Sequence, residues 1–445
     1  MTNRVVSRRG FLRSGVAAGI AAGFPTIIPA SAIGRGGRAA PSERITVGCI
    51  GVGDRGSYLM GATLQLPDVQ VCAVADVKRD RREAAKAAVD GFYENSGCSA
   101  YNEFEAITHR DDIDACIIAS CDHWHVLHAL SAVRAGKDVY VEKPLGISLE
   151  QDQALRKAVR RHKRIFQFGT QQRSDERFRR ACELVLNGRI GELKTINVWS
   201  PASVSGGPTN EVPVPETLDY DRWLGPAPKT PYTYERDTNK WWWFISEYAI
   251  GFIAGWGIHP IDIALWGAGK LVETPVHIKG TGTFPSEGVC NTATSWDIAC
   301  AYDSGVAIRY RSEPALEEWK SRYGQISGHG TAFEGTKGWV HVNRNVIRSS
   351  PENIVDSVIQ SNEIRLIKSE HHMRNFFDSV KSRRDPISPI ESAVNGDMLC
   401  QVCDVAIRLN REVYWDTKKE QFIDDREANK RLQREMRAPW QLARV

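Results

Sequence analysis

The sequence predicts an α/β protein, with a doubly wound parallel sheet in its N-terminal part and an α+β region with an open, mostly antiparallel sheet after it. Short apolar strands alternate with helical segments between residues 44 and 169, which is typical of a parallel sheet. After residue 170, apolar and polar residues alternate with a period of two, and turn sequences separate the segments. We therefore expect one domain at 44–169 and a second at 170–445.

The first predicted strand, 45–50, runs directly into a glycine-rich turn, GVGDRG at 51–56, and a helix follows. This context distinguishes a phosphate-binding turn from chance glycine repeats in loops. Glycine permits the tight turn, the approach of the backbone to a pyrophosphate and the close packing of helix on strand. The free N–H groups that begin the helix favour a bound anion. We expect dinucleotide contacts from Gly51, Gly53, Asp54, Arg55 and Gly56.

The second predicted strand, 69–75, ends in Asp76, twenty residues after Gly56. A carboxylate at this place accepts hydrogen bonds from the ribose hydroxyls of NAD and repels the 2′-phosphate of NADP. Four basic residues crowd the same turn and keep NADP possible: Lys78, Arg79, Arg81 and Arg82. The sequence therefore favours NAD in a Rossmann-type domain, with NADP as the alternative.

Polar side chains follow the remaining parallel strands, which are predicted at 113–119, 138–142 and 165–168. Ligands of open α/β sheets bind outside the carboxyl ends of the strands. We therefore expect further cofactor contacts from Ser120, His123, His125, Glu142 and Lys143. Asp122 opens a predicted helix and also fits a helix cap. Arg173 follows the last strand and is expected to contact the substrate.

Lys143 and His259 are the predicted catalytic pair. Hydride transfer from an alcohol needs a base for the hydroxyl proton and a positive group beside the developing alkoxide. Lys143 suits the second role, because burial lowers the pKa of its amine, and His259 suits the first, because histidine titrates near neutrality. Asp262 shares a helical face with His259, so it either orients the imidazole or has only a structural role.

Four consecutive aromatic residues occupy positions 241–244. Aromatic faces stack on the C–H faces of sugars, so Trp242 and Trp243 are candidates for substrate contact together with Arg173 and His259. Packing in the core is the alternative, and we expect it for at least two of the four aromatic residues.

The C-terminal part shows strand patterns at 193–199, 276–283, 295–302 and 306–311. Turn sequences at 303–305 and 335–338 predict two hairpins. Helices are expected at 176–186, 372–382 and 391–410, and the last of them has one apolar face. The charged segment 416–445 is expected to wrap the surface.

The first 32 residues resemble a twin-arginine signal peptide. Arg8 and Arg9 precede an apolar, Ala/Gly-rich stretch, and the cleavage-type sequence Ala30-Ser31-Ala32 follows. We expect the export machinery to read this signal and the linker at 33–43 to begin the mature, membrane-free, exported or periplasmic protein. An uncleaved membrane anchor is the alternative.

Charge and cysteine content exclude several classes of protein. The full chain has a formal net charge of +4, and residues 1–32 carry four arginines and no acid, so the mature chain is neutral. A neutral chain offers no electrostatic basis for binding nucleic acid or an anionic membrane. The ten cysteines lack a disulfide-framework spacing, and neither they nor His371 and His372 predict a metal site.

The chain resembles the Gfo/Idh/MocA family, named for glucose-fructose oxidoreductase, inositol dehydrogenase and a rhizopine-catabolism protein. The resemblance is carried by the glycine turn, by Glu142-Lys143-Pro144 and by Gly257-x-His259-x-x-Asp262, and it spans roughly 44–410. It implies NAD(P)-linked oxidation or reduction of sugars and cyclitols, with Lys143 and His259 as the catalytic pair. It also implies a homo-oligomer, a dimer or a tetramer.

Gly255 departs from the family pattern, because many members have an aspartate four residues before the histidine.

The leading hypothesis is an exported NAD(P)-dependent oxidoreductase that acts on a pyranose sugar or glycoside with a tightly bound cofactor. Two alternatives stay open: an NAD-dependent glycoside hydrolase that oxidises its sugar transiently, and a non-catalytic sugar-binding protein.

Overall fold

The computed structural model of the protein describes residues 39–40, 43–312, 317–324, 326 and 328–443. Residues 45–445 form one compact unit, and both predicted sheets lie within it. The predicted signal at 1–32 and most of the linker at 33–43 lie outside the described residues. The division into domains at 169/170 stays a prediction.

The N-terminal sheet confirms the predicted doubly wound class. Its strands are all parallel and follow the order β3-β2-β1-β4-β5-β6. They are β1 (Ile45–Ile50), β2 (Val69–Ala75), β3 (Ser99–Tyr101), β4 (Ala115–Ile118), β5 (Asp138–Val141) and β6 (Phe166–Phe168). The helices between them are α1 (Asp54–Leu64), α2 (Arg79–Tyr93), α3 (Glu105–Thr108), α4 (Asp122–Arg134) and α5 (Leu149–His162). The strand order reverses between β1 and β4, where doubly wound sheets bind their ligands.

The second sheet is mostly antiparallel, as predicted, and has the order β13-β12-β11-β7-β10-β9-β8-β14-β15. Its strands are β7 (Leu193–Ser200), β8 (Val276–Thr283), β9 (Ser295–Tyr302), β10 (Ala307–Ser312), β11 (Gly330–Gly335), β12 (Gly338–Val342), β13 (Ile347–Ser350), β14 (Val413–Asp416) and β15 (Gln421–Phe422). Both predicted hairpins, β9–β10 and β11–β12, are present. The exception to the antiparallel rule is the parallel pair β7–β10.

The described helices of the second half lie against both faces of this sheet or between it and the first. They are α6 (Glu176–Leu186), α7 (Tyr220–Leu224), α8 (Phe252–Gly255), α9 (Ile258–Ala268), α10 (Glu317–Tyr323), α11 (Asn353–Asp356), α12 (His372–Ser382), α13 (Ile390–Leu409) and α14 (Arg426–Lys430). Helix α13 was expected to bury one face, but it packs against α5, α9, β6 and β8 and is buried nearly all round. Its small and thiol-bearing residues, such as Ala393 and Cys403, permit this close packing on several sides.

The charged sequence after α13 was expected only to wrap the surface, but the tail also forms strands. Strand β14 pairs with β8, and β15 pairs with β14. Beyond α14, the Arg437 guanidinium donates to Asp221, and the Trp440 ring lies 4.7 Å from that of Trp124 on α4. Arg134, also on α4, donates to the Leu442 carbonyl at 2.6 Å. The tail therefore crosses from the second sheet to the first.

Candidate active site

The glycine turn after β1 is packed so tightly that its geometry requires glycine. Gly51 has φ +79°, and a Cβ atom there would lie 2.6 Å from the Ser120 backbone nitrogen. A Cβ atom at Gly56 would lie 1.9 Å from the Gly51 carbonyl oxygen. The turn thus brings helix α1 and the end of β4 close to β1, and its residues line a cleft.

That cleft opens at the reversal between β1 and β4 and has a volume of about 410 Å³. Most of the predicted cofactor and substrate residues line it: Gly51, Gly53, Asp54, Arg55, Asp76, Ser120, His125, Glu142, Lys143, Trp242 and Trp243. Five predicted site residues are not part of its wall: Gly56, His123, Arg173, His259 and Asp262. The glycine cradle and the cleft beside it fit a dinucleotide.

Asp76 lines the cleft at the end of β2 and braces its backbone. Its carboxylate accepts hydrogen bonds from the amide of Val52 at 2.9 Å and from the amide of Lys78 at 2.8 Å. The basic cluster around it is partly engaged elsewhere, because Lys78 pairs with Asp237 and Arg82 donates to the Asp76 carbonyl at 3.0 Å. These contacts weaken the case for a 2′-phosphate site.

A segment of the second half of the chain crosses the cofactor side of the cleft; we call it the strap, residues 217–244. Its backbone bonds to the start of α2, with Arg79 N donating to Thr217 O at 2.8 Å. Asn239 donates to Asp54 in the glycine turn at 2.9 Å, and Trp223 O accepts from Trp124 Nε1 at 3.0 Å. The strap therefore forms an outer wall of the cleft, a feature that no sequence motif indicated.

The two histidines after β4 have different roles. His125 lines the cleft, and its two ring nitrogens lie 2.7 Å from Pro144 O and 2.9 Å from Ser120 O, between the ends of β4 and β5. His123 is 1% exposed and bonds to Trp223 O in the strap at 2.9 Å. His123 therefore supports the strap and is not part of the cleft wall, and its contact with cofactor stays a prediction.

Arg55 and Glu142 form an ion pair at the centre of the cleft, with Nε 2.7 Å from Oε1. Burial raises the pKa of Glu142, but Arg55 and Lys143 outweigh this effect and hold the pKa below its usual value. Glu142 also accepts from the Lys143 amide at 3.1 Å. The carboxylate thus stays ionised and neutralises Arg55.

Lys143 extends from the end of β5 to the segment that carries His259. Its ammonium donates to the Gly255 carbonyl at 2.8 Å and lies 5.6 Å from the Trp243 ring centre. Burial lowers the pKa of the amine, and Glu142 and Asp122 oppose the shift only in part.

Asp122 is 2% exposed, and its Oδ2 atom has no hydrogen-bond partner within the described part of the chain. Helix α4 begins at Asp122 itself and Cys121 is its cap position, so Asp122 is not the cap.

His259 lies in the first turn of α9 and is 3% exposed. Burial lowers the pKa of its imidazole well below the usual value, and four neighbours that carry or can carry positive charge add to this: Lys143, Arg344, His329 and Arg55. Among the described residues, its Nδ1 atom has no hydrogen-bond partner. The imidazole is therefore neutral at pH 7 and can accept a proton.

One prediction was that Asp262 orients the His259 imidazole. The structure does not show this, because the Asp262 carboxylate binds Arg173 instead. Both oxygens of its carboxylate accept from Arg173, from Nε and Nη2, each at 2.7 Å. The pair is almost fully buried, and the Arg173 guanidinium also lies 4.9 Å from the Trp266 ring. Because the planar fork of arginine matches a carboxylate with two parallel bonds, it outcompetes the imidazole for Asp262. Arg173 is thereby occupied, and its predicted contact with substrate is not supported.

The aromatic cluster divides between core and cleft. Trp242 and Phe244 are 6% and 4% exposed, which agrees with the expected packing of at least two members. Trp243 is only partly buried, and it lines the cleft beside Lys143. Trp242 contributes to the same wall, and its ring lies 5.2 Å from that of Trp243.

Three further residues lie near His259, and two of them, Arg344 and His329, carried no sequence signal. With its amide oriented to satisfy both neighbours, Gln172 donates to His259 O at 3.2 Å and accepts from Arg344 Nε at 3.3 Å. Arg344 and His329 pack on the Trp256 ring, at 5.1 and 5.2 Å from its centre. They come from the β12–β13 loop and from just before β11, far from the motifs in sequence.

Within the described ranges, no group of three or more His, Cys, Asp or Glu side chains is placed to hold a metal ion. All ten cysteines are free thiols. None of the described helices combines the length and apolar character that a membrane crossing needs.

Comparison with known proteins gives matches over most of the chain. The NAD-binding Rossmann fold of the Gfo/Idh/MocA oxidoreductases matches residues 45–170, and the C-terminal alpha/beta domain of this oxidoreductase family matches residues 186–442. Among solved structures, the WlbA dehydrogenase from Bordetella pertussis, in complex with NADH and UDP-GlcNAcA, superposes with a TM-score of 0.61 at 15% identity, over 83% of this chain and 98% of that one. The scyllo-inositol dehydrogenase from Lactobacillus casei with NAD(H) and scyllo-inositol gives 0.57 at 18%, over 83% and 99%.

Curated relatives match over shorter segments. A glycosyl hydrolase family 109 protein from Saccharopolyspora erythraea is 38% identical over 159 residues, 33% of this chain and 35% of that protein. An inositol 2-dehydrogenase from Rubrobacter xylanophilus is 26% identical over 263 residues, 58% of this chain and 60% of that protein. The chain thus spans about a third and three fifths of these two relatives. The two family matches together cover more than half of the sequence, and the chain belongs to the Gfo/Idh/MocA family of NAD-binding oxidoreductases.

Proposed function

We propose that this protein is an exported oxidoreductase that transfers hydride between a tightly bound NAD and a hydroxyl carbon of a pyranose sugar or glycoside. One observation carries the proposal. Lys143, at the edge of the dinucleotide cleft, bonds to Gly255 and so meets the segment that carries the neutral imidazole of His259. A cation and a base therefore converge beside the cofactor cleft.

The residues in and beside the cleft have distinct roles in the proposed reaction. The glycine turn would hold the pyrophosphate, Asp76 the adenosine ribose, and Lys143 the nicotinamide end. When bound, the nicotinamide supplies the hydride acceptor. His259 takes the proton of the substrate hydroxyl, and the Lys143 ammonium stabilises the negative charge that develops on the same oxygen. Among the described residues, no carboxylate bonds to Nδ1 of His259, so the packing of α9 sets the position of the imidazole ring.

Relatives support the substrate class. The similar solved structures include dehydrogenases bound to scyllo-inositol and to UDP-GlcNAcA, and an aldose-aldose oxidoreductase from Caulobacter crescentus. These ligands and substrates all present ring hydroxyls. The homo-oligomer expected from the family resemblance stays a prediction.

The proposal of export and cofactor retention rests on the signal-like sequence at 1–32 and on the strap. Outside the cytoplasm little free nicotinamide cofactor is present, so an exported dehydrogenase has to carry its cofactor with it. The strap bonds to the glycine turn through Asn239 and to the start of α2 through Thr217, which supports slow release. A retained cofactor is regenerated in place by a second sugar substrate.

The purified mature protein is expected to show nucleotide absorbance after extensive dialysis. Its bound cofactor should be reduced on addition of one member of a panel of pyranoses and glycosides. Mass spectrometry of the released nucleotide should give NAD, because Asp76 lines the cleft and two of the four nearby basic side chains are engaged. A protein that emerges without nucleotide would contradict retention, and a 2′-phosphate would contradict the choice of NAD.

The pH dependence of kcat/KM is expected to be bell-shaped and displaced toward low pH. The rate falls as His259 becomes protonated, and burial places this pKa well below its usual value of 6.5. The rate also falls as Lys143 loses its proton, and burial lowers that pKa from 10.5. The acidic limb should therefore lie below pH 6.5 and the basic limb below pH 10.5. An acidic limb above pH 6.5 would contradict the assignment of His259 as the buried base.

An NAD-dependent glycoside hydrolase is the second candidate, favoured by the family 109 relative. In this reaction, oxidation of a sugar hydroxyl acidifies the neighbouring C–H bond, the aglycone is eliminated, and the hydride returns to the sugar after water is added. A chromogenic glycoside separates the two candidates. The hydrolase releases the aglycone without net reduction of the cofactor, whereas the oxidoreductase reduces its cofactor and leaves the glycosidic bond intact.

A further inference from the structure

Arg344 lies beside His259 without a carboxylate partner. Its guanidinium is half-buried on the Trp256 ring, and its Nε donates to the Gln172 amide oxygen at 3.3 Å. Across the described part of the chain, no carboxylate lies within ion-pair distance of it. A partly buried cation that bonds only to a neutral amide keeps an uncompensated charge.

The acids nearest to this arginine do not supply the missing charge. The carboxylates that act on Arg344 are Asp175 and Glu142. Three acids near the site already pair with an arginine: Glu142 with Arg55, Asp262 with Arg173, and Asp175 with Arg177. Asp175 also accepts from the Arg177 amide as the cap of α6. The His259 side of the site therefore carries an excess of positive charge.

The surroundings of Arg344 suit one kind of anion. A guanidinium presents two parallel N–H donors, which match the two oxygens of a carboxylate. His329, on the same Trp256 ring, is not a second cation at neutral pH, because burial and Arg344 lower its pKa to about 4. A doubly charged phosphate needs more donors than one guanidinium and a neutral imidazole provide. The Trp256 ring, which contacts Arg344, His329 and His259, is only partly buried.

We propose that Arg344 binds a carboxylate of the substrate, so that the protein acts on a uronic acid or uronide rather than on a neutral pyranose. The inference rests on the proposed oxidoreductase function, because it names the substrate class of the same site. With the carboxylate on Arg344, a ring hydroxyl of the same sugar reaches His259, which Gln172 links to Arg344 through its amide. Arg344 is thus a specificity residue, and Lys143 and His259 keep their chemical roles.

The test compares matched pairs of sugars on the cofactor-loaded protein: glucuronate with glucose, and galacturonate with galactose, each also as its methyl glycoside. Reduction of the bound cofactor measures turnover, and calorimetry measures binding independently of redox chemistry. The uronate of the better pair should exceed its neutral partner by about 10²-fold in kcat/KM, the usual worth of a desolvated charge pair. Arg344→Gln should remove this preference, and Arg344→Lys should restore part of it, since lysine keeps the charge and loses the two-bond geometry.

Arg348→Gln is the matched control, because this exposed arginine lies on β13, four residues along the chain. It should leave the preference unchanged, and retained cofactor and thermal melting should show that the Arg344 variants are folded. Equal use of neutral and acidic sugars, an equal loss for both in Arg344→Gln, or a preference for glucose 6-phosphate over glucuronate would each overturn the inference. Neutral sugars that still reduce the cofactor would then leave the oxidoreductase proposal intact. In the converse outcome, a uronate binds in calorimetry only when Arg344 is present and yet leaves the bound cofactor oxidised. That result would support the inference and contradict the proposed activity.

Discussion

Replacing Lys143 or His259 by alanine is expected to lower turnover by about 10²–10⁴-fold, which is the usual contribution of a positioned proton-transfer group. Lys143→Ala removes the cation that bonds to Gly255 beside the cleft, and His259→Ala removes the neutral base. The bound nucleotide should remain, because its phosphates rest on the glycine turn. Single-turnover reduction of the copurified cofactor measures the rate, and absorbance of the dialysed variants measures retention.

Two residues of β8 provide controls for these variants. His277 and Lys279 lie on one strand of the second sheet, and the His277 imidazole bonds to Glu412 at 3.0 Å. His277→Ala and Lys279→Ala should keep turnover close to that of the unmodified protein. Near-normal turnover of His259→Ala with the true substrate would show that His259 is not the base.

Breaking the Arg173–Asp262 pair is expected to lower the free energy of unfolding by about 3–5 kcal/mol, because an uncompensated charge stays buried. The two parallel bonds of 2.7 Å connect the short helical turn at Gln171–Ser174 with α9. Asp262→Ala should show the full loss in denaturant titration. The double variant Arg173→Met/Asp262→Leu should recover most of it, since apolar residues of similar volume replace buried ion pairs at little cost.

The same double variant separates structure from catalysis. Because Asp262 does not contact His259, the folded double variant should keep most of its turnover. The exposed pair Lys368–Glu370 is a control, and Glu370→Ala should have little effect on unfolding. A stable double variant with abolished turnover would instead show that Asp262 acts on the imidazole in the reactive state.

Much of the fold follows from local sequence patterns. The strands β1, β2, β5 and β6 were predicted almost to the residue, because continuous apolar runs before polar turns are typical of a buried parallel sheet. The short strand β3 was not predicted, since Ser99-Ala100-Tyr101 has neither the length nor the apolar content of a strand signal. Its pairing with β2 is a tertiary effect.

The cofactor side of the site was easier to predict than the substrate side. Residues such as Gly51 and Lys143 follow strands, and the sheet fixes where strand ends meet. Asp262 was assigned by its spacing from His259, but spacing does not reveal that Arg173 lies closer and binds with two bonds. Arg344 and the strap reach the site only through contacts between distant parts of the chain, which no local motif encodes.

The tail contacts that support the strap are also the last to be synthesised. Arg437 bonds to Asp221 in the strap, and the backbone at Leu442 bonds to Arg134 on α4. These residues leave the ribosome long after the parallel sheet has been synthesised, so a growing chain presents the glycine turn to the cytoplasm before its outer wall is fixed. We therefore expect nucleotide to enter the cleft during synthesis, before the tail supports the strap. This order of synthesis suits a protein that we propose leaves the cell compartment with its cofactor inside.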